Sequence, residues 1–345
     1  MRWYRRRKTG KIHGYGEKYF HRLLFAVFRY AHGALQDCRW PTLFRAPEQP
    51  RYMDLAGAAR AGAPAGDDLL SDQANAPVAN TPVVPRPAST VLLLRDAPRG
   101  LEVFMVARNK NIKFASGALV FPGGRVDAAD SDPRLRPHCA GVDDLDDPAF
   151  ALLVSAVREV FEETGTFLAR RKGEVAPLNG GDAAVIAERY RDNLLAETVS
   201  LLDIIEAENL ELLTDQIARF AHWVTPESRP IRFDTHFYVA VMPPGQGAEH
   251  DGDESVASAW IAAQGAPQEI ETKGFSAMFP TLVNLEKLAD SPAVAEAMEA
   301  ARAGRIEMVL PKMHVEPDGS KVVRISETAG YKTTSYPSQS KWIKS

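Results

Sequence analysis

The sequence predicts an α/β protein, because short apolar runs rich in β-branched residues alternate with segments of helical periodicity. Three observations support this fold class. Residues 90–107 hold two apolar runs around turn-forming residues, residues 150–169 carry an apolar stripe at helical spacing, and residues 232–242 favour a further strand that ends in an apolar run. With 345 residues, the chain is long enough to bury a substantial core.

The first predicted strand covers residues 90–94, and residues 96–100 favour a turn before a second strand at 101–107. A short third strand at 118–121 ends at two glycines. In the first helix, 150–169, the apolar stripe comprises Leu153, Val157, Val160, Phe161 and Phe167. The later elements are a helix at 186–209, strands at 222–224, 232–242 and 256–261, and helices at 280–289 and 292–303.

Composition divides the chain into three parts. Residues 1–87 are a basic arm followed by a flexible linker rich in Ala, Gly and Pro, residues 88–310 are the folded domain, and residues 311–345 are a polar tail. Three interpretations of the arm stay open: a membrane-surface or targeting segment, a solvated basic arm, or a start codon placed too early.

Net charge and cysteine use restrict the function classes. The formal charge of −4 argues against broad nucleic-acid binding by the whole chain. The two cysteines, Cys38 and Cys139, lack partners at metal-ligand spacing and are expected to be free thiols in a reducing compartment. No apolar run approaches the roughly 18 residues that span a bilayer. We therefore expect a soluble cytoplasmic protein without stable membrane insertion, and the oligomeric state stays open.

Three carboxylates share one face of the first predicted helix. Glu159, Glu162 and Glu163 stand at positions i, i+3 and i+4. Like charges this close destabilise a helix unless a cation binds them, and Mg²⁺ or Mn²⁺ prefers carboxylate oxygens. The alternative is a solvated acidic face that pairs with Arg158 or with lysines from elsewhere.

A glycine pair precedes this helix at the end of the third strand. In Phe121-Pro122-Gly123-Gly124, the glycines let the backbone turn sharply and approach a ligand closely. An ordinary tight turn is the alternative interpretation. The acidic residues Asp127 and Asp130 follow.

Together these segments resemble the Nudix box, G-x5-E-x7-R-E-U-x-E-E-x-G-U, in which U is apolar. Gly124 takes the first glycine, and the second half matches at Arg158, Glu159, Val160, Glu162, Glu163 and Gly165. Three positions depart from the pattern. Asp130 replaces the first Glu, Thr166 replaces the last apolar residue, and residues 131–157 are 20 residues longer than the usual spacer. The insertion is rich in Asp and Pro and is expected to form a surface excursion.

The resemblance implies a Nudix-type α/β/α sandwich with a mixed β-sheet and an additional helical insertion around residues 180–215. It also implies a Mg²⁺ or Mn²⁺ site at Glu159, Glu162 and Glu163, where the ions neutralise a diphosphate and activate a water. Arg158 then joins the helix to the loop by pairing with an acidic side chain, and Gly123 and Gly124 admit the phosphates.

One further acid is expected to act as the base. Some family members use a carboxylate from a late loop, and Glu254 occupies that position here. The alternative is a solvated glutamate beside Asp251 and Asp253.

Upstream residues resemble the extended motif of coenzyme A diphosphatases within the family. Arg108, Gly117 and the Phe-Pro-Gly-Gly segment fall in register, whereas Asn109 replaces a small residue and Lys113 replaces an arginine. Lys113 keeps the charge but cannot hold a phosphate with two parallel hydrogen bonds. Lys110, Lys113 and Arg125 are the nearest cations for a 3′-phosphate.

A second likeness concerns the acyl-coenzyme A diphosphatases of peroxisomes, which also have a long insertion inside the box. They share a later segment similar to Trp223-Val224-Thr225-Pro226 and Arg232-Phe233-Asp234-Thr235 with Phe237. The alternative assigns Trp223, Phe233 and Phe237 to the core and Arg232 with Asp234 to a surface pair. The peroxisomal location is not carried over, because the chain ends in Trp342-Ile343-Lys344-Ser345.

The leading hypothesis is a metal-dependent diphosphatase of coenzyme A or acyl-coenzyme A. It would release an adenosine bisphosphate and a phosphopantetheine fragment. Two alternatives remain. One is hydrolysis of another nucleoside diphosphate derivative, such as an ADP-sugar, NADH or a dinucleotide. The other is a non-catalytic sensor that only binds a nucleotide.

Overall fold

A computed structural model describes residues 83–109, 117–252 and 254–337, which form a mixed β-sheet with helices on both faces. The strands, in chain order, are β1 (Arg86–Ala97), β2 (Gly100–Arg108), β3 (Ala118–Val120), β4 (Gly123–Arg125), β5 (Ala169–Arg171), β6 (Leu210–Leu212), β7 (Ile217–Val224), β8 (Phe233–Val241), β9 (Ser255–Ala262), β10 (Ser276–Ala277), β11 (Met308–Val309), β12 (Lys312–Val315), β13 (Lys321–Arg324) and β14 (Ser335–Pro337).

Strand β1 is the centre of the nine-stranded main sheet, whose order is β10-β3-β2-β1-β8-β7-β11 with β4 on β1 and β9 on β2. Strand β8 runs parallel to β1 over most of its length. On its other side β1 pairs antiparallel with β4 through its first half and with β2 through its last residues. The glycine pair of β4 is thus held against the middle of the sheet.

Helices cover both faces of this sheet. They are α1 (Asp147–Thr164), α2 (Gly180–Leu195), α3 (Leu201–Ala207), α4 (Ala266–Thr272), α5 (Phe279–Leu288) and α6 (Val294–Ala303). One core joins the sheet to α1, α2 and α3, and includes Phe161, Ile186 and Ile204. The second joins the opposite face to α5 and α6 through Leu285 and Met298. The predicted α/β/α sandwich with a mixed sheet is confirmed.

Helix α1 is offset from the prediction. It begins earlier, because the Asp146 side chain accepts the N–H of Ala149 as an N-cap and Pro148 stands in the first turn. It ends at Gly165, whose φ of 70° is left-handed. The predicted end at residue 169 was therefore wrong, and Ala169 instead begins β5.

The helical insertion around residues 180–215 is present, but the single helix predicted over 186–209 is wrong. The structure has α2 and α3 there, followed by β6. Helix α2 stops at Leu195, and Glu197 has a φ of 54°. Ser200 then begins α3, because its side chain accepts the N–H of Asp203 while the Asp203 carboxylate accepts the N–H of Ser200.

The insertion inside the box is not a surface excursion. Two 3₁₀ turns, Ala128–Ser131 and Pro133–His138, fold it back onto the core, where Leu135, Cys139 and Val142 are buried. Cys139 is a free thiol, and burial raises its pKa to about 12. That thiol is therefore protonated and unreactive at neutral pH. Cys38 lies outside the described residues.

Part of the segment predicted to be a polar tail is ordered against the domain. Strands β12, β13 and β14 form a three-stranded antiparallel sheet. Tyr331 is buried beside them, where its hydroxyl accepts a hydrogen bond from Trp223 and donates one to Asn284. A division of the chain at residue 310 stays a prediction.

The three later predicted strands are present as β7, β8 and β9. The strand predicted at 222–224 is longer in the structure, where β7 begins at Ile217. Trp223 and Phe237 are core residues, whereas Phe233 is half-buried. The predicted surface pair between Arg232 and Asp234 was wrong, because the buried Arg232 guanidinium donates to the carbonyls of Thr225 and Val83.

The basic arm and most of the linker lie outside the described residues. Among the helices that the structure describes, none has the length and apolar character needed to cross a bilayer.

Candidate active site

The acidic face of α1 is buried against the glycine pair of β4. Glu159 and Glu163 are among the buried residues, and Glu162 is half-buried beside them. The solvation assumed by the alternative interpretation is therefore wrong, whereas its pairing of the acidic face with Arg158 is present. Buried carboxylates require partners, and the structure shows which groups supply them.

Arg158 joins α1 to the loop that follows β4. Its Nε donates to Asp130 Oδ1 at 2.8 Å and its Nη2 donates to Asp130 Oδ2 at 2.9 Å, a bidentate pair in which Asp130 is only 1% exposed. The same guanidinium donates to the carbonyl of Arg125 and to both Glu159 and Glu162. Asp130 also accepts the N–H of Asp127 at 2.8 Å. The helix-to-loop ion pair implied by the resemblance is present.

Close approach explains both glycines of β4. A methyl group on Gly123 would lie 2.3 Å from the carbonyl oxygen of Ser89, and one on Gly124 would lie 2.5 Å from Glu159 Oε1. The N–H of Gly123 also donates to Glu163 Oε2 at 3.1 Å. A side chain at Gly123 would therefore collide with the backbone of β1, and one at Gly124 would displace the carboxylate of Glu159.

The three glutamates do not converge on a single point. Arg158 Nη1 lies between Glu159 and Glu162, at 3.0 and 2.8 Å, whereas Glu163 turns towards Gly123. Among the described residues, they do not form a trio with ligand atoms all within 4.8 Å of one another. The prediction that they share a metal site stays a prediction.

The donor chemistry nevertheless fits Mg²⁺ or Mn²⁺. Carboxylate oxygens are the ligands these ions prefer. Burial is the largest cause that raises the pKa of Glu159, to about 7, and it also raises the pKa of Glu162. Burial and then the charge of Glu159 raise the pKa of Glu163 well above its ordinary value. The cluster thus lacks positive charge, which a divalent ion would supply.

Arg108 is placed between two acidic groups at the open side of the cluster. A β-bulge between Ala107 and Arg108 shifts the register with β9, which changes the direction of the side chain. Its Nη2 lies 3.6 Å from Glu254 Oε2, and its charge partly offsets the raised pKa of Glu163. Within the described parts of the chain, its buried Nε has no hydrogen-bond partner. Arg108 therefore places a partly exposed guanidinium at the edge of the acidic cluster.

The other predicted site residues are less closely connected to the acidic helix. The Glu254 side chain is 66% exposed and meets the site through Arg108. Arg125 is exposed, although its carbonyl belongs to the Arg158 network. Lys110 and Lys113 lie outside the described residues.

A cavity of about 620 Å³ opens beside the C-terminal end of α1. Its wall is made mainly of small side chains from α2 and from residues 247–249, together with the rings of Phe104 and Trp260. Arg191 crosses its edge, where it donates to the carbonyls of Glu162 and Glu249. The carbonyl of Glu162 faces the cavity edge near the end of α1, where a cation is favourable.

Arg191 and Trp260 line the cavity, and local sequence patterns do not identify either of them. Arg191 is one of two arginines in α2, and no spacing distinguishes it. Trp260 was read only as part of a strand. Its proximity to α2 depends on tertiary packing.

The structure resembles a crystal structure of a NUDIX hydrolase from Alicyclobacillus acidocaldarius, with 29% sequence identity and a TM-score of 0.51. The alignment covers 64% of this chain and 99% of that one. In sequence, the chain is similar to a Caenorhabditis elegans protein described as "Putative nudix hydrolase 7", at 25% identity over 203 residues. That match covers 59% of this chain and 60% of the length of the relative. No family model matches the chain.

The fold, with its glycine pair and carboxylate helix, is thus similar to that of a Nudix hydrolase. Both relationships support the same superfamily. Neither relative's name states a substrate.

The raised carboxylate pKa values predict how metal-dependent stability changes with pH. Because Glu159 titrates at about 7 in the fold and near 4.5 when unfolded, the metal-free protein loses stability as pH rises between these values. A divalent ion binds the ionised carboxylates. We therefore expect Mn²⁺ to raise the melting temperature more at about pH 8 than at about pH 5.5.

Differential scanning fluorimetry of the wild type checks this expectation. Glu163→Gln should reduce the Mn²⁺ shift at the higher pH, and Glu299→Gln, an exposed change on α6, should not. An equal or larger shift at the lower pH would contradict the account.

Proposed function

We propose that this protein is a metal-dependent hydrolase of a diphosphate bond, with coenzyme A or acyl-coenzyme A as substrate. The observation that carries the proposal is the acidic face of α1, buried against Gly123 and Gly124 and linked to the loop through Arg158 and Asp130. A purely structural helix would gain nothing from burying Glu159 and Glu163, and half-burying Glu162, with so few cations nearby.

Glu159, Glu162 and Glu163 would hold Mg²⁺ or Mn²⁺. The ion, when bound, neutralises the diphosphate and lowers the pKa of a coordinated water. The protein supplies the remaining functions. Because Gly123 and Gly124 have no side chains, phosphate oxygens can approach the backbone beside Glu159. Arg158 keeps the carboxylates of α1 facing the glycine pair.

Arg108 is proposed to bind the diphosphate. Its unpaired buried Nε and its position between Glu163 and Glu254 support this role. Glu254 is the proposed base, which would accept the proton of the attacking water at a carboxylate oxygen. Its pairing with Arg108 keeps that carboxylate at the edge of the site while leaving it open to solvent.

Two features support the coenzyme A assignment. One is the register of Arg108, Gly117 and the Phe-Pro-Gly-Gly segment in the sequence. The other is the cavity that begins at Thr164 and Gly165, directly after Glu163. Its lining combines small apolar side chains with polar ones such as Gln246 and Ser258, which suits the methyl groups and amides of the pantetheine arm next to the diphosphate.

Other nucleoside diphosphate derivatives remain the second candidate, because the carboxylate helix would treat any diphosphate alike. A non-catalytic sensor is less well supported, since the three glutamates and Arg158 are all retained and arranged around the glycine pair.

Product analysis tests the activity. Coenzyme A, an acyl-coenzyme A, ADP-ribose and NADH are offered separately with Mg²⁺ or Mn²⁺. We expect phosphopantetheine or its acyl form to appear, and Glu162→Gln to lower kcat by at least about 100-fold because it removes a charged ligand. Glu299→Gln is the matched control.

Turnover limited to ADP-ribose or NADH would support diphosphate hydrolysis as the reaction but contradict coenzyme A as the substrate. Absence of turnover for all four, with nucleotide binding intact, would contradict the enzyme and favour a sensor.

Filling the cavity tests which half of the substrate occupies it. Ala187, on α2, lines the cavity, and Ala187→Phe would narrow it. We expect this change to weaken inhibition by the product phosphopantetheine by about tenfold, since a bulky side chain removes apolar contact area. Inhibition by adenosine 3′,5′-bisphosphate should be unchanged.

Val185→Phe is the matched control, because Val185 lies two positions away on the exposed face of α2. Weaker inhibition by the adenosine bisphosphate alone would show that the cavity holds the nucleotide instead.

A further inference from the structure

A cluster of two histidines and one aspartate lies on the main sheet outside the proposed active site. His222 is on β7, and Asp234 and His236 are on β8. His222 and His236 are directly opposite in the antiparallel register. Asp234 and His236 are two residues apart on one strand and therefore point to the same face. Strand pairing alone brings all three side chains together.

The three side chains present ligand atoms to one small volume. Asp234 Oδ1 lies 2.5 Å from His222 Nε2 and 3.7 Å from His236 Nε2. The imidazole rings are stacked, with centroids 4.1 Å apart. In the described part of the chain, this is the one group of His, Cys, Asp or Glu residues whose ligand atoms all lie within 4.8 Å of one another.

The cluster is separate from the acidic face of α1. His236 is in register with Ser89 on β1, and Ser89 is in register with Gly124 on β4. Two strand spacings, about 10 Å, therefore separate His236 from Gly124. Between them, the Ser89 hydroxyl donates to the carbonyl of Leu152, so α1 lies over that position.

We propose that His222, Asp234 and His236 form a second metal site, which binds a divalent transition-metal ion of the Zn²⁺ class. Two imidazole nitrogens and one carboxylate oxygen suit Zn²⁺ rather than Mg²⁺, which prefers oxygen ligands alone. All three side chains are half-buried, so solvent can supply the remaining ligand. The bound ion would tie β7 to β8.

An ordinary hydrogen-bonded pair explains only part of this arrangement. His222 and Asp234 would form such a pair without His236, yet the second ring presents its Nε2 to the same carboxylate oxygen. The exposed Arg219 stands at the far side of His236, with Nη2 3.4 Å from Nδ1. Coordination through Nε2 leaves the ring proton on Nδ1, so Arg219 would have to turn away.

Co²⁺ is the probe that separates the two proposed sites, because it replaces Zn²⁺ and absorbs visible light. Nitrogen ligands in a four-coordinate site give stronger absorption than six oxygen ligands. We expect the full-length protein to bind one Co²⁺ with this stronger spectrum, and Zn²⁺ to displace it. Glu162→Gln should leave the spectrum unchanged, since it alters the other site.

His222→Gln and His236→Gln should each abolish the strong spectrum and weaken Zn²⁺ binding, measured by calorimetry, by more than about 100-fold. His314→Gln, on the exposed strand β12, is the matched control and should bind as the wild type does. Circular dichroism verifies that each variant is folded. Arg219→Gln should bind Zn²⁺ at least as tightly as the wild type, because the amide oxygen can accept a hydrogen bond from the Nδ1–H of His236.

The proposal is overturned if the wild type lacks the strong Co²⁺ spectrum, or if either histidine variant retains it. Weaker Zn²⁺ binding by Arg219→Gln would contradict coordination through Nε2 of His236. None of these readouts depends on diphosphate hydrolysis, so the failure of one proposal leaves the other standing.

Discussion

The buried ion pair between Arg158 and Asp130 is the interaction on which the proposed active site depends. It connects the acidic helix α1 to the loop after β4 through two parallel hydrogen bonds. Removing one partner of such a pair generally costs about 3–5 kcal/mol, because the other charge is left buried alone. Here the guanidinium also contacts Glu159 and Glu162, so the same side chain stabilises the fold and positions the proposed ligands.

The sheet supplies the second constraint. Gly123 and Gly124 pair with β1 at the centre of the sheet, and their missing side chains leave room for Ser89 on one side and Glu159 on the other. Burial then raises the pKa of the neighbouring carboxylates, most clearly at Glu163. This arrangement disfavours the metal-free charged state and favours binding of a divalent ion.

Local patterns predicted much of this architecture. The apolar runs of β1 and β2, the helix bearing Glu159 and the glycine pair are each encoded within a few neighbouring residues. The resemblance correctly implied that Arg158 pairs with an acidic side chain of the loop. Element ends were less predictable. The left-handed Gly165 ends α1, and the Ser200 cap divides α2 from α3.

Long-range packing could not be inferred from one sequence. The insertion after Asp130 looked polar, yet Leu135 and Val142 enter the core, and Tyr331 does so from a segment expected to be a tail. His222 and His236 are 14 residues apart, and only the strand register shows that they are opposite one another. Arg191 likewise reaches the cavity only because α2 packs beside the end of α1.

A double-mutant cycle on Mn²⁺ affinity tests the central claim most directly. Asp130→Asn, Arg158→Lys and the double variant are compared with the wild type by calorimetry. Each single change should weaken Mn²⁺ binding by at least about tenfold, because it releases the carboxylate face. The double variant should be little worse than either single one, since both changes break the same connection. Wild-type affinity in both single variants, or fully multiplicative losses, would contradict the account.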